Sequence, residues 1–402
     1  MQLGDPSYEQ PTVNPQVLHW ARNYSGFSLD SAAKRLKVNI EQLVEWEDPR
    51  SGILPTLGTA REMAKLYERP FLEFFLYEAP DLETTSSVPD FRARRGGAVD
   101  EEETRTLLKL QRWGETQRLN LLDLAEILEI EIPKVPANLY ANDLNDVELI
   151  AGRARELLGP NTHQQMSLKG SGRDQFPSIL RDSLMQHGIF VLYRSELVKT
   201  KTRGMCLFTP HLPTIIYTNE SPSAQAFTIA HELGHVVSKQ CAISGTFTVK
   251  QPKSWKHKET EQWCDRFAAA FLVPAEEINE IIVKPDRPKE YIDDSKLDML
   301  AKKFAVSAHA MLIRLIELSY VHQDFYWQKR RPELIRQESE YKAPPVKPKF
   351  YGSRFQKRVG KFYTGLVLEA WVNDMITVDD AQGFLGIEKF QHFDDIQRYF
   401  SP

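Results

Sequence analysis

The sequence has 402 residues, 42% hydrophobic and 26% charged, with a net charge of −4. That length exceeds one ordinary core and predicts two or three domains; the balance excludes a disordered chain, and the charge excludes a global positive field for bulk nucleic-acid binding. Three cysteines, Cys206, Cys241 and Cys264, exclude a disulfide-stapled fold. With no basic-then-apolar leader at Met1–Pro6 and no long apolar run, a soluble, cytoplasmic protein without membrane contact is expected.

In chain order, residues 14–77 predict a compact bundle of short helices. Val17, Leu18 and Ala21 share one face of the first, Ser28 caps the second, Asn39 the third, and Pro55-Thr56 opens the fourth. Residues 80–97 are rich in Pro, Ser, Gly and Arg and predict a linker. A long amphipathic helix follows over 100–129, acidic at its start, and another helix over 144–158. The Gly/Ser/Lys/Gln-rich stretch 159–175 predicts a mobile loop. A mixed segment comes next: a helix over 177–186, strands at 188–193, 204–208 and 214–218, then helices over 224–239, 259–272 and 295–320. Residues 329–361 carry eleven Lys/Arg against three Asp/Glu, with Pro344, Pro345 and Pro348 inside, which predicts a basic, extended connector. Residues 362–402 predict a last small helical unit. The fold class expected is multidomain, mainly α with an α+β part.

The strongest chemical signal is His231-Glu232-Leu233-Gly234-His235. On a helix, positions four apart lie about 40° apart around the axis, so both imidazoles point one way and can share a metal. Glu232 sits beside them, placed to activate a metal-bound water. A catalytic zinc site takes three protein ligands, so a third is needed from a later helix. Glu259, Glu261 and His257 are the candidates. Glu261 is preferred because it lies four residues before Asp265, which then faces the same way and can accept the remaining ring N–H of a ligand histidine. Strand 214–218 precedes the motif as an edge strand beside a cleft would, so Ile215, Tyr217 and Asn219 are expected to line up substrate by β-augmentation. Tyr217, His211 and His257 are open alternatives for an oxyanion donor. Cys264 reads as a small packed hydrophobe.

HELGH, then ETEQWCDRFAAAFLVP, preceded by GMCLFTPHLPTIIYTNE, resembles the ImmA/IrrE family of bacterial and phage metallopeptidases. LAKKFAVSAHAMLIRLIEL looks like the helix pair that closes that domain. The run VLHWARNYSGF through PTLGTAREMAKLYERPFLEFFL is similar to the Xre-type helix-turn-helix often fused in front, and PDFRARRG matches a segment frequent in such fusions. The resemblance covers about 11–97 and 188–320, with a looser match over 353–390. It implies zinc held by His231, His235 and Glu261, with Glu232 as general base. The family usually has Asn where this chain has Asp265; an Asp keeps the acceptor and adds charge. The boundaries it implies are 1–80 for the helix-turn-helix, 81–145 for linker and long helix, 146–325 for the peptidase domain, 326–361 for the connector and 362–402 for the C-terminal unit. It also implies a regulated task, the cleavage or control of a repressor or a toxin–antitoxin partner. The alternative is a non-proteolytic regulator or antitoxin that uses the peptidase fold as a docking body.

On the third helix, Asn39, Glu41, Gln42, Glu45 and Glu47 are the residues expected at the surface. Asn39 and Gln42 suit an adenine edge, whereas three glutamates oppose phosphates. Residues 1–80 hold eight Lys/Arg against eleven Asp/Glu, so DNA, a partner protein or a second copy in a homodimer all suit this bundle. The connector interleaves Phe350, Tyr351, Phe355 and Phe362 with basic residues, a pattern for gripping nucleic acid or for a solvated linker.

Overall fold

The computed structural model describes residues 12–80, 101–200, 202–240, 242–245, 255–340, 351–387 and 389–400. The linker with its PDFRARRG segment, and connector residues 341–350, lie outside them. Two compact units emerge, one holding the described residues up to 109 and the other those from 110 onward.

The first unit contains helices α1 (Pro15–Tyr24), α2 (Leu29–Leu36), α3 (Ile40–Glu47) and α4 (Leu57–Leu66), then a 3-10 turn at Phe71–Phe75. Side chains of Asn14, Ser28 and Thr56 accept from the backbone N–H groups of Gln16, Ser31 and Thr59, satisfying donors that each helix start would otherwise leave unpaired. Val17, Leu18, Ala32, Leu43, Met63 and Phe74 form the core. Glu47 is not the surface residue expected: it is buried and takes Arg22 Nε at 2.8 Å and Nη2 at 2.9 Å. Asn39 and Gln42 stay exposed, and Asn39 makes no side-chain cap bond. The described residues up to Lys109 of α5 (Glu101–Ile127) complete this unit.

In the second unit, α5 continues into α6 (Val147–Leu158), α7 (Thr162–Ser167) and α8 (Phe176–Met185). Strands β1 (Phe190–Tyr193), β2 (Thr202–Leu207) and β3 (Thr214–Tyr217) follow, then α9 (Pro222–Val237), β4 (Ala242–Gly245) and α10 (Trp255–Leu272). The remaining helices are α11 (Ala275–Ile281), α12 (Asp294–Lys303), α13 (Ala308–Glu317), α14 (Gln323–Phe325), α15 (Arg331–Glu340), α16 (Tyr351–Val372), α17 (Val378–Leu385) and α18 (Phe390–Phe400). The architecture is mainly helical around one four-stranded sheet of order β1-β3-β2-β4. β1 and β3 run parallel; β3 with β2 and β2 with β4 run antiparallel. Helix α5 lies close over the sheet because Gly114 has no side chain: a Cβ there would come 2.7 Å from Ile216 Cδ1 and 2.9 Å from Leu207 Cδ1.

Three expectations change. β3 is central, hydrogen-bonded to β1 and β2, so it is no substrate edge strand. Its run Thr214-Ile215-Ile216-Tyr217 is wholly buried, and a continuous apolar run belongs to a strand covered on both faces. Residues 159–175 are no open loop: α7 and a 3-10 turn occupy them. Gln165 in α7 is buried and donates to the Leu272 carbonyl at 3.1 Å, which ties the segment to α10. The basic connector is helical where described, through a π-turn at Tyr326–Arg330, α15 and the start of α16. Leu334, Phe355 and Val359 are buried apolar positions along it, and their spacing suits helices that pack rather than extended chain.

Candidate metal centre

The centre grows from one tight helix pair. Ser221 caps α9 by accepting from Ala224 N, and Pro222 stands at its first turn. From Thr228 to Val237 every residue of α9 is buried, so the polar motif is carried on a core helix. α10 packs directly on it. A Cβ on Gly234 would come 3.1 Å from Cys264 Sγ and 3.3 Å from its Cα, so glycine at this position lets the two backbones approach.

That approach brings four side chains to one place. His231 Nδ1 shares a hydrogen bond with Asp265 Oδ1 at 2.9 Å. His235 Nε2 lies 3.2 Å from Glu261 Oε1, and His231 Nε2 lies 3.6 Å from Glu261 Oε2. Two ligands at about 2.0–2.1 Å from a tetrahedral zinc stand about 3.3 Å apart, the separation seen here. Nε2 of His231 and Oε1 of Glu261 are buried and make no hydrogen bond among the described residues. Lone pairs that converge at ligand spacing without bonding one another suit a cation between them, and the donor set of two imidazoles and a carboxylate suits zinc.

Burial and charge pairing set the protonation of these groups, and a bound cation would displace the proton from His231. Burial opposes charge on His231, but the hydrogen bond to Asp265 and the nearby Glu261 hold its pKa well above the ordinary value. Burial lowers His235 despite Glu261. Burial also works against charge on Glu261, yet the two imidazoles keep its carboxyl ionised far below the usual range. Burial raises Asp265.

Cys264 is a second neighbour. Donor atoms of His231, His235 and Cys264 all lie within 4.8 Å of one another, so this thiol, read from sequence as a packing residue, also stands in reach of a metal. It is fully buried, and burial raises its pKa well above the ordinary thiol value, which keeps the proton on sulfur.

Glu232 is fully buried, with its carboxylate laid against β2. A Cβ on Gly204 would come 2.8 Å from Glu232 Cδ and would overlap Oε1. Gly204 is therefore a site residue that sequence reasoning missed; the available signal was a glycine at the head of an otherwise apolar strand. Ile215 and Tyr217 belong to the core, so neither faces a substrate. Asn219 is exposed in the turn between β3 and α9, as is His211 before β3. The side chains of Glu259 and Glu261 diverge in exposure, the first open and the second half-buried. The side chain of His257 lies outside the described residues. Asn39 and Gln42 belong to the first unit, and the centre to the second.

Residues 184–315 match the peptidase M78 family model, described as the IrrE N-terminal-like domain. The match spans about a third of the chain and contains His231, Glu232, His235, Glu261, Cys264 and Asp265. No curated protein matches this sequence. Residues 184–315 are thus similar to the IrrE N-terminal-like domain of that family, and among the described residues no helix is long and apolar enough to cross a membrane.

Proposed function

We propose that the second unit is a zinc-dependent endopeptidase acting on a regulatory protein, a repressor or a toxin–antitoxin partner. The observation that carries this reading is the meeting of the three side chains, with the Glu261 carboxylate 3.2 Å from His235 Nε2 and 3.6 Å from His231 Nε2. These three would hold the ion, and Asp265 would fix the ring and tautomer of His231 through its 2.9 Å bond. Bound zinc supplies Lewis acidity, lowering the pKa of water and polarising a carbonyl oxygen. Glu232 takes the proton from the attacking water and passes it to the leaving amine. Gly204 leaves the space in which that carboxylate sits. An extended substrate would pair with β4, which joins the sheet through β2 on one side and has no strand on its other side among the described residues. The first unit, as an Xre-type helix-turn-helix, would direct the enzyme to DNA, through Asn39 and Gln42, or to a DNA-bound partner.

Elemental analysis of the purified protein beside His231→Ala and Glu261→Ala variants tests the ligand set. About one zinc per chain, lost in both variants, is expected. Zinc absent from the wild type after reconstitution would sink the protease reading. Zinc retained in Glu261→Ala but lost in Cys264→Ala would transfer the third ligand to the thiol.

A second reading, a non-proteolytic regulator that docks its partner, is favoured by one observation on the first unit. The exposed side of α3 combines the apolar Ile40 and Val44 with Glu41 and Glu45, a surface better matched to protein than to phosphate. Under that reading Glu232→Gln leaves regulation intact.

A further inference from the structure

Away from the helix pair that carries the histidines, the second unit encloses a cavity of about 610 Å³ between α8, β1 and α16. This size is typical of small-molecule sites. Met185, Phe190, Val191, Val359 and Leu366 supply apolar walls, each of them buried. One end is cationic. Arg181 lines it and is only 4% exposed; its Nη1 donates to the Lys357 carbonyl at 2.8 Å, while its buried Nε makes no hydrogen bond. Lys361 lines the same end. Asp182 stands 3.7 Å from Arg181 Nε and 3.9 Å from Lys361 Nζ, too far to hydrogen-bond either, so one carboxylate faces two cations.

Backbone adds to this end. Gly360 breaks α16 with φ 89° and ψ 165°, values that only glycine adopts readily, and a Cβ there would lie 3.8 Å from Arg181 Nε. The helix restarts at Lys361 and runs to Val372, and Gly360, Lys361 and Phe362 of its first turn all line the cavity. A helix start favours negative charge. Glu369 lines the cavity eight residues later, about 12 Å along the axis, and makes the other end acidic.

We propose that this cavity binds a monoanionic amphiphile, its carboxylate held by Arg181, Lys361 and the restarted helix, its apolar body against Met185, Phe190 and Leu366. Glu369 selects against a second acid group at the distal end. The Nε of the buried arginine is a charged donor with no hydrogen-bond acceptor among the described residues, and the apolar walls exclude an inorganic anion as the natural occupant. α8 packs both on this cavity and on α9, so an occupant touches an element that supports the candidate metal centre.

Calorimetric titration of the full chain with decanoate, decanol and decanedioate tests this. Decanoate is expected to bind one per chain, at least about tenfold more tightly than either of the others, since a charge-assisted bond is worth about that factor. Arg181→Met should bring decanoate down to the affinity of decanol. Gly365 also lines the cavity, and a Cβ there meets no atom within 4 Å, so Gly365→Leu projects a side chain into the space and should abolish binding of all three. Circular dichroism identifies a folded Gly365→Leu protein, which keeps the test valid if Arg181→Met unfolds. Equal affinity for decanoate and decanol, binding untouched by Gly365→Leu, or no heat with decanoate up to its solubility would each overturn the proposal.

Discussion

Each unit buries carboxylate beside cationic or basic nitrogen, and the two arrangements differ in one respect. In the first unit Arg22 and Glu47 close on each other, with hydrogen bonds of 2.8 and 2.9 Å. In the second, His231 and Glu261 approach to 3.6 Å, and His231 Nε2 and Glu261 Oε1 make no hydrogen bond among the described residues. A pair that satisfies itself holds a fold together; a set whose donor atoms converge without bonding one another suits a cation. Similar residue classes therefore serve different ends, and hydrogen-bond closure distinguishes them.

The sharpest way to break that comparison is Glu232→Gln. It should cut hydrolysis of a mixed peptide library, followed by mass spectrometry, by about 10²–10⁴-fold while zinc content stays at the wild-type level. Undiminished cleavage would remove Glu232 from the chemistry. In the first unit, Glu47→Ala leaves Arg22 buried without its partner and should cost about 3–5 kcal/mol, read as an earlier urea transition by the fluorescence of Trp20 and Trp46. Replacing both, as Arg22→Met with Glu47→Leu, should recover most of that loss. A double variant as unstable as the single one would show that the pair does more than satisfy itself.

Smaller effects sharpen the picture. Gly204→Ala drives a methyl group into the Glu232 carboxylate and should slow hydrolysis about 10²-fold with zinc retained, at a stability cost of about 1–3 kcal/mol. Loss of zinc instead would mean that Gly204 supports the ligand helix rather than the base. Glu317 on α13 gives the weakest signal. Burial pushes its pKa up to about 7, against the pull of Arg314 and Arg266. The folded chain then holds a proton that the unfolded chain, with a carboxyl near 4.3, releases. Its stabilising contribution is full below about pH 4 and lost as pH rises to about 7, within about 4 kcal/mol in all. Urea unfolding across that window should show a shallower decline in Glu317→Gln than in the wild type. Parallel slopes would place the proton elsewhere.

Much of the centre was legible in the chain. The i, i+4 histidines required only helical periodicity, and the four-residue spacing of Glu261 and Asp265 put both on one side of α10, where Asp265 meets His231 at 2.9 Å. Helix starts at Ser28 and Thr56 followed from capping chemistry. The strand order was not legible. β3 lies between β1, some twenty residues earlier, and β2, and no local pattern in Thr214–Tyr217 distinguishes those neighbours from an open edge. Charge misled in the connector, because the lysines and arginines of α15 and α16 are spaced around buried Leu334, Phe355 and Val359, and a count of charge carries no periodicity.

By itself, then, the sequence determined the helices and which of His231, His235, Glu261 and Asp265 share a face of each, since both depend on interactions within four residues. Only the tertiary structure decided that Glu232 rests in the space left by Gly204, that Cys264 stands within reach of both imidazoles, and that Arg181 ends in a cavity beneath Gly360. Each of these joins residues at least 28 positions apart, as between Gly204 and Glu232. Such contacts are set by how whole elements pack, which short-range propensity does not encode.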